Sequence, residues 1–264
     1  AGLIDSPEAG FAAEANAIAD LSKDPVTVEC IRLFFLNDES KKWAEEVAPN
    51  YKAKKLTHAG LLGAGTMGAS LAKIMADKNM TVRLKDVSAD ALAKGLKVAR
   101  ALCDKDAKKK KVSKREADRC FGRISPTTEY TGLKNAQIVI EAVIEDLDIK
   151  KKVFRDLQDA CGPDTILATN TSSLRLSDMV SAIDRPERFI GVHFFNPPHK
   201  MQLVEIVTLD STGQDAIETA VALVTKLGKT PVVVKDCPGF LVNRLLTRLT
   251  RNPGQSLTTT GVLP

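Results

Sequence analysis

One stretch limits what this chain can fold into more than any other. Residues 56–75 read LTHAGLLGAGTMGASLAKIM. An apolar run stops at Gly63-Ala64-Gly65-Thr66-Met67-Gly68, and apolar residues then recur at helical spacing (Leu71, Ile74, Met75). A strand, a G-x-G-x-x-G turn and a helix start, in that order, open a dinucleotide-binding βαβ unit. Gly63 is expected to make the tight turn, Gly65 to let a pyrophosphate approach the backbone, and Gly68 to let helix and strand pack closely. The first helical residues, Thr66 and Met67, would present free N–H groups and a partial positive charge to the phosphates.

A glycine motif of this kind is weak alone, but the next segment strengthens it. A second strand, residues 80–84, ends at Asp86. An acid about 20 residues beyond the glycines is placed to accept hydrogen bonds from the adenosine ribose hydroxyls and to repel a 2′-phosphate. The expected cofactor is therefore NAD rather than NADP, although the neighbouring cations Arg83 and Lys85 argue the other way.

The 264 residues suffice for one large or two modest domains, and 44% hydrophobic content is ordinary for a globular protein. The net charge of +5 is concentrated in the lysine-rich run at residues 104–114, so it is no general signature of nucleic-acid binding. That run reads as a solvated helix end or hairpin tip, the sharper alternative being a contact to the phosphates of a large anionic substrate. Five scattered cysteines (Cys30, Cys103, Cys120, Cys161, Cys237) with no C-x-x-C imply reduced thiols in a reducing compartment. There is no membrane-length apolar run and no signal peptide. The chain opens at Ala1 rather than Met and is expected to be a segment of a longer protein.

Residues 1–55 stand outside the nucleotide fold. Ser6-Pro7-Glu8 can cap a helix through residues 9–21, and Asp24-Pro25 another reaching about Trp43. The second carries an apolar stripe (Val28, Ile31, Leu33, Phe34, Phe35) that must bury against the nucleotide domain or a neighbour. Residues 48–55 read as a basic linker. Residues 56–236 alternate strands and helices: helix 89–103, strand 137–142, helix 148–160, strands 165–169, 189–194 and 203–207, helix 216–227 and strand 230–234. The 50 or so residues between Asp86 and strand 137–142 exceed a simple crossover, so a helical excursion is expected there. Pro238-Gly239 interrupts, and residues 240–249 resume as helix. The polar tail 252–264 reads as disordered. The fold class is thus α/β, a Rossmann-type doubly wound, mainly parallel sheet. N-terminal linker helices occupy residues 1–55, and only the start of a C-terminal helical domain falls within 237–264.

Three clusters fall at strand ends, where doubly wound sheets bind ligands: Asn170-Thr171-Ser172-Ser173, His193-Phe194-Phe195-Asn196-Pro197-Pro198, and Glu205. A strand entered shortly after the Pro-Pro turn can return beside its predecessor, bringing a carboxylate to the imidazole. His58 and His199 read as structural or surface residues. A strand-end histidine alone is more often structural, and Ser172 could simply cap the next helix.

Together GAGTMG, EAVIED (residues 141–146), TNTSSL (169–174), GVHFFNPPHKMQLVEIV (191–207) and PGFLVNRLL (238–246) resemble the NAD-dependent 3-hydroxyacyl-CoA dehydrogenases of fatty-acid β-oxidation. The resemblance covers residues 56–246. Residues 1–45 resemble the helical tail after the enoyl-CoA hydratase domain in multifunctional β-oxidation α-subunits. It implies that His193 is the catalytic base, Glu205 the acid that orients it, Ser172 a hydroxyl on the substrate's 3-oxygen, and Asn243 an amide completing the site. Gly63, Gly65, Thr66, Met67, Gly68 and Asp86 would cradle NAD, with Ala142, Val143, Glu145, Lys150 and Asn170 along the nicotinamide and ribose. Ala69-Ser70 replaces the usual Ala-Gly, which should alter only helix packing.

The implied reaction oxidises a (S)-3-hydroxyacyl-CoA to the 3-oxo form. The implied partners are an acyl-CoA substrate, a second copy and a thiolase subunit, in bacterial cytoplasm or the mitochondrial matrix. Family members continue past the last motif into a helical domain of about 100 residues. Residues 247–264 do not resemble it, so the chain is expected to bind NAD and turn over poorly. The competing readings are an NAD-binding or structural module without turnover, as in crystallin-type relatives, and a hydroxyacid dehydrogenase with a lysine base, which the His-Phe-x-x-Pro…Glu pattern disfavours.

Overall fold

A computed structural model describes residues 6–251. The tail expected to be disordered lies outside the described residues. The chain divides into two compact units, residues up to Trp43 and residues from Ala44 onward.

The first unit contains helix α1 (Pro7–Leu21) and most of α2 (Pro25–Val47). Ser6 caps α1 through a 3.1 Å bond from the Ala9 amide, with Pro7 at the first helical position. Asp24 accepts the Thr27 amide at the start of α2 (3.1 Å). Val28, Ile31, Leu33, Phe34 and Phe35 find no core within this unit and are exposed.

The second unit is one eight-stranded sheet flanked by helices. In chain order it comprises β1 (His58–Leu62), α3 (Thr66–Asp77), β2 (Thr81–Lys85), α4 (Ala89–Lys108), α5 (Lys114–Gly122), β3 (Ile124–Thr127), β4 (Ile138–Glu141) and α6 (Leu147–Ala160). Next come β5 (Ile166–Thr169), the one-turn α7 (Leu176–Met179), β6 (Phe189–Phe194), β7 (Leu203–Thr208), α8 (Gln214–Lys226), β8 (Thr230–Lys235) and α9 (Val242–Arg251). The strand order is β3-β2-β1-β4-β5-β6-β7-β8. Every neighbouring pair is parallel except β6 and β7, so β7 and β8 run against the rest.

Strand alternation sorts the side chains into two cores. Ile138 and Ile140 of β4, Ile166 and Ala168 of β5, and Ile190 and Val192 of β6 pack into one with residues of α3, α4 and α8. Val139, Leu167 and Phe189 enter the other with Phe154 and Leu157 of α6. Both faces of the sheet are covered, as a doubly wound sheet requires.

The long excursion after β2 is a helical hairpin, α4 and α5, leading into an edge strand that the sequence did not reveal. β3 spells Ile124-Ser125-Pro126-Thr127, and its proline is tolerated because β3 has a neighbour on one side alone. The segment read as a basic linker, residues 48–55, is instead docked. Ala48 and Tyr51 are buried, Tyr51–Ala53 forms a short 3₁₀ turn, and Asn50 donates to Glu218 of α8 from its backbone (3.2 Å) and its side chain (3.0 Å). Among the described residues no helix is long and apolar enough to cross a membrane.

Candidate active site

The glycine turn joins β1 to α3. Gly63 has φ +96°, and a Cβ there would sit 2.4 Å from the Ala142 carbonyl oxygen. A Cβ on Gly68 would lie 1.8 Å from the Gly63 carbonyl oxygen. At Gly65 the same Cβ would meet nothing within 4 Å. Packing against backbone thus requires two of the glycines, while the third leaves open space above the turn into which a ligand could come. Gly65 is the N-cap of α3 and supplies no side-chain acceptor, so the amides of Thr66 and Met67 remain available to an anion. These residues fit a bound pyrophosphate.

Asp86 lies just past β2. One carboxylate oxygen accepts the Ala64 amide (2.6 Å) and the other the Val87 amide (2.7 Å), which ties the acid to the glycine turn. The cations beside it are engaged elsewhere. Lys85 Nζ lies 4.2 Å from the centroid of the Tyr130 ring, and Arg83 donates to the carbonyl (2.8 Å) and hydroxyl (3.0 Å) of Thr131. Neither cation forms an ion pair with Asp86, which suits NAD over its 2′-phosphorylated form.

A cavity of about 370 Å³ opens at the ends of β4, β5 and β6. Of the residues singled out in the sequence, Met67, Ala142, Val143, Glu145, Lys150, Asn170, Ser172, His193 and Asn243 line it, together with Phe194, Phe195 and Asn196. Met67 belongs to the dinucleotide turn and so links the two ends of the site.

His193 and Glu205 face each other across the antiparallel β6–β7 pair. His193 Nδ1 lies 2.7 Å from Glu205 Oε2. Both side chains are buried, and the imidazole is flanked by the rings of Phe195 and Phe240, at centroid distances of 4.5 and 5.7 Å. The other carboxylate oxygen of Glu205 accepts the backbone amides of Leu241 (2.9 Å) and Val242 (2.8 Å) at the start of α9. The preceding turn passes through Gly239 (φ +73°) and Phe240 (φ +50°), a conformation that aims those amides at the carboxylate. The Glu205 carboxylate thus has one oxygen on the imidazole and the other on two amides at the start of α9. In the neutral tautomer whose Nδ1–H donates to Glu205, Nε2 carries the lone pair.

Glu145 anchors the loop after β5. Its Oε1 accepts the Thr171 hydroxyl (2.5 Å) and the amides of Ser172 (2.9 Å) and Ser173 (3.2 Å). Lys150 Nζ stands 3.3 Å from Glu145 Oε2 and 2.6 Å from Glu141 Oε1, and Glu141 also accepts the Thr169 hydroxyl (2.8 Å). Burial works to raise the Glu145 carboxyl. The Thr171 hydroxyl, Lys150 and the Ser172 amide outweigh it and hold it at about 2. Asn170 accepts the Phe194 amide (3.0 Å), and Asn243 donates to the Ser172 carbonyl (3.1 Å). Ser172 does not cap the next helix. Arg175 stands at that position of α7, and Asp236 receives the helix's first amides, those of Leu176 and Ser177. His58 and His199 are exposed and away from the cavity.

Several participants were missed in the sequence. Glu141 sits in an apolar strand, and a carboxylate there signals a buried partner; here that is Lys150. Gly95, inside α4, was a second signal. A Cβ there would lie 2.4 Å from the Ala64 carbonyl, so α4 packs directly on the glycine turn. Thr171 and Phe240 lay within the segments singled out, but nothing local marked the bond of Thr171 to Glu145 or the packing of Phe240 on His193.

Residues 58–237 match the family model described as "3-hydroxyacyl-CoA dehydrogenase, NAD binding domain". The fatty acid oxidation complex subunit alpha of Shewanella amazonensis is 41% identical over 246 residues, which are 93% of this chain and 35% of that protein. The subunit of the same name from Idiomarina loihiensis is 38% identical over 245 residues, 93% of this chain and 34% of that protein. The chain thus spans about a third of the length of these curated relatives. Among solved structures, 3-hydroxybutyryl-CoA dehydrogenase from Escherichia coli K12 superposes with a TM-score of 0.72 at 35% identity, covering 76% of this chain and 43% of that one. (S)-3-hydroxybutyryl-CoA dehydrogenase PaaH1 from Ralstonia eutropha gives 0.72 at 34% identity, covering 77% and 75%.

Proposed function

This chain belongs to the 3-hydroxyacyl-CoA dehydrogenase family and carries its NAD-binding domain, and we propose that it oxidises (S)-3-hydroxyacyl-CoA to 3-oxoacyl-CoA with His193 as the base. The observation that carries this reading is the imidazole fixed at Nδ1 by Glu205, itself held by the amides of Leu241 and Val242. That leaves His193 Nε2 to serve the cavity that Met67 shares with the glycine turn.

Bound NAD supplies a hydride acceptor for the alcohol carbon. Gly63, Gly65, Thr66, Met67, Gly68 and Asp86 would hold its adenosine and pyrophosphate, and Ala142, Val143, Glu145, Lys150 and Asn170 the other end. His193 Nε2 takes the hydroxyl proton, and Glu205 stabilises the imidazolium that forms. Ser172 and Asn243 donate hydrogen bonds to the substrate oxygen as it becomes carbonyl-like. For Asn243 this means exchanging its bond to the Ser172 carbonyl for one to substrate. In reverse, His193 returns the proton.

The relatives are named as subunits of fatty acid oxidation complexes. Assembly with a thiolase subunit and a second copy, in bacterial cytoplasm, is part of this proposal. The test is NADH oxidation driven by acetoacetyl-CoA. Substrate-dependent oxidation supports the reading. Tight NADH binding without any turnover would favour the non-catalytic NAD-binding module instead.

A further inference from the structure

Two thiols meet between α4 and α5, in a part of the second unit that the proposed chemistry does not use. Cys103 of α4 and Cys120 of α5 are buried, and their sulfurs lie 3.8 Å apart. The Cys120 thiol donates to the Asp77 carboxylate at 3.0 Å. Asp77 in turn pairs with Lys73, which is itself buried and also pairs with Asp106. Both cysteines form part of the wall of a cavity of about 300 Å³, shared with Lys73, Asp77, Arg119 and Arg123. A cysteine that only fills core volume needs neither a carboxylate on its thiol nor a cavity beside its sulfur.

The environment distinguishes the two sulfurs. The Cys103 thiol is held below its ordinary value, chiefly by its hydrogen bond with Cys120, with Lys73 and Arg100 adding to the effect against burial. The Cys120 thiol is pushed up by that same bond, by burial and by Asp77. The Cys120 proton is directed at Asp77, which can receive it, while the cations Lys73 and Arg100 favour a thiolate at Cys103.

We propose that Cys103 and Cys120 are a thiol–disulfide exchange site that accepts small aliphatic disulfides and closes to an intrachain disulfide. The Cys103 thiolate attacks one sulfur of RS–SR. A protein–S–SR bond forms, the RS–SR bond breaks, and RS⁻ leaves to be protonated by solvent. Cys120 then gives its proton to Asp77 and attacks the Cys103 sulfur, expelling a second RS⁻ that takes up that proton. Two protein thiols are oxidised and one disulfide is reduced to two RSH. The sulfurs must close from 3.8 Å to the roughly 2 Å of a disulfide. The bridge would staple the α4–α5 hairpin below the tip that carries the lysine run.

The folded protein is treated with 2-hydroxyethyl disulfide without denaturant, and its peptides are mapped by mass spectrometry. Exposed Cys30 serves as the internal reference for reagent. The expected product is a Cys103–Cys120 cross-linked peptide lacking two hydrogens, with amide exchange slowed in α5. Cys120→Ser should trap a stable mixed disulfide on Cys103, and Cys103→Ser should leave Cys120 unmodified. Should a serine variant fail to fold, the wild-type peptide map decides alone. Modification of the pair only after denaturant is added, or a cross-link joining other cysteines, would overturn the proposal.

Discussion

Glu145 and Glu205 are carboxylates placed for different tasks. Glu205 spends its acceptors on one imidazole and two helix amides, and so serves His193. Glu145 gathers the Thr171 hydroxyl and the amides of Ser172 and Ser173, and so fixes the loop that carries Ser172. Its carboxyl is held at about 2 in the folded state, below the ordinary value of 4.5. A group whose folded value is depressed stabilises the fold above its unfolded value and loses that contribution as pH falls through the folded one. Glu145→Gln should therefore be less stable than wild type at neutral pH, and the gap should narrow as pH drops from about 4.5 towards 2. Urea unfolding of both proteins across that range checks this; a gap independent of pH would refute it. At this scale the sequence was most informative where a residue type was out of place. A histidine at a strand end and a carboxylate in an apolar strand could both be noticed. Thr171 was visible as a strand-end residue, but its bond was not, because a threonine in a loop looks the same whether or not its hydroxyl reaches Glu145.

Among the elements, the β1–α3 turn gives the sharpest separation of binding from folding. Gly65→Ala puts a methyl into open space, so stability should change by no more than about 0.5 kcal/mol, while NADH affinity should fall tenfold or more, about 1.4 kcal/mol. Gly68→Ala puts a methyl against the Gly63 carbonyl oxygen and should cost about 3 kcal/mol or more of stability. NADH fluorescence titration and urea unfolding of the two variants check the contrast, and similar behaviour of both would contradict it. Elements with a strong period were legible: β1 and β4 as apolar runs, and α3 and α4 from helical spacing. β3 was not, because Ser125-Pro126-Thr127 carries no apolar alternation and its pairing depends on β2 alone. Residues 48–55 were misread because their lysines dominate the composition while Ala48 and Tyr51 do the packing.

Over the second unit as a whole, the reversal of β7 brings the proposed catalytic pair together. A parallel β7 would require a crossover; the antiparallel return sets Glu205 directly opposite His193, 12 residues away in sequence. Sequence reading could expect the return from the Pro-Pro turn but not the register, which depends on the cores of both faces. Under the proposed reading, cofactor choice is also set between elements, since Asp86 follows β2 while Tyr130 and Thr131 engage Lys85 and Arg83. NADH at about 100 times its dissociation constant should add roughly 2.7 kcal/mol to stability. NADPH at the same concentration should add far less, and Asp86→Ala should narrow the difference. Thermal melts with each nucleotide check this, and equal protection of wild type by both would contradict it.

The measurement that bears most directly on the role of His193 is acetoacetyl-CoA-dependent NADH oxidation by wild type and His193→Gln, with the NADH dissociation constant of each determined alongside. The expected result is unchanged NADH affinity with turnover reduced about 10²- to 10⁴-fold, the range of a lost general acid or base. Turnover by His193→Gln equal to that of wild type would contradict the assignment.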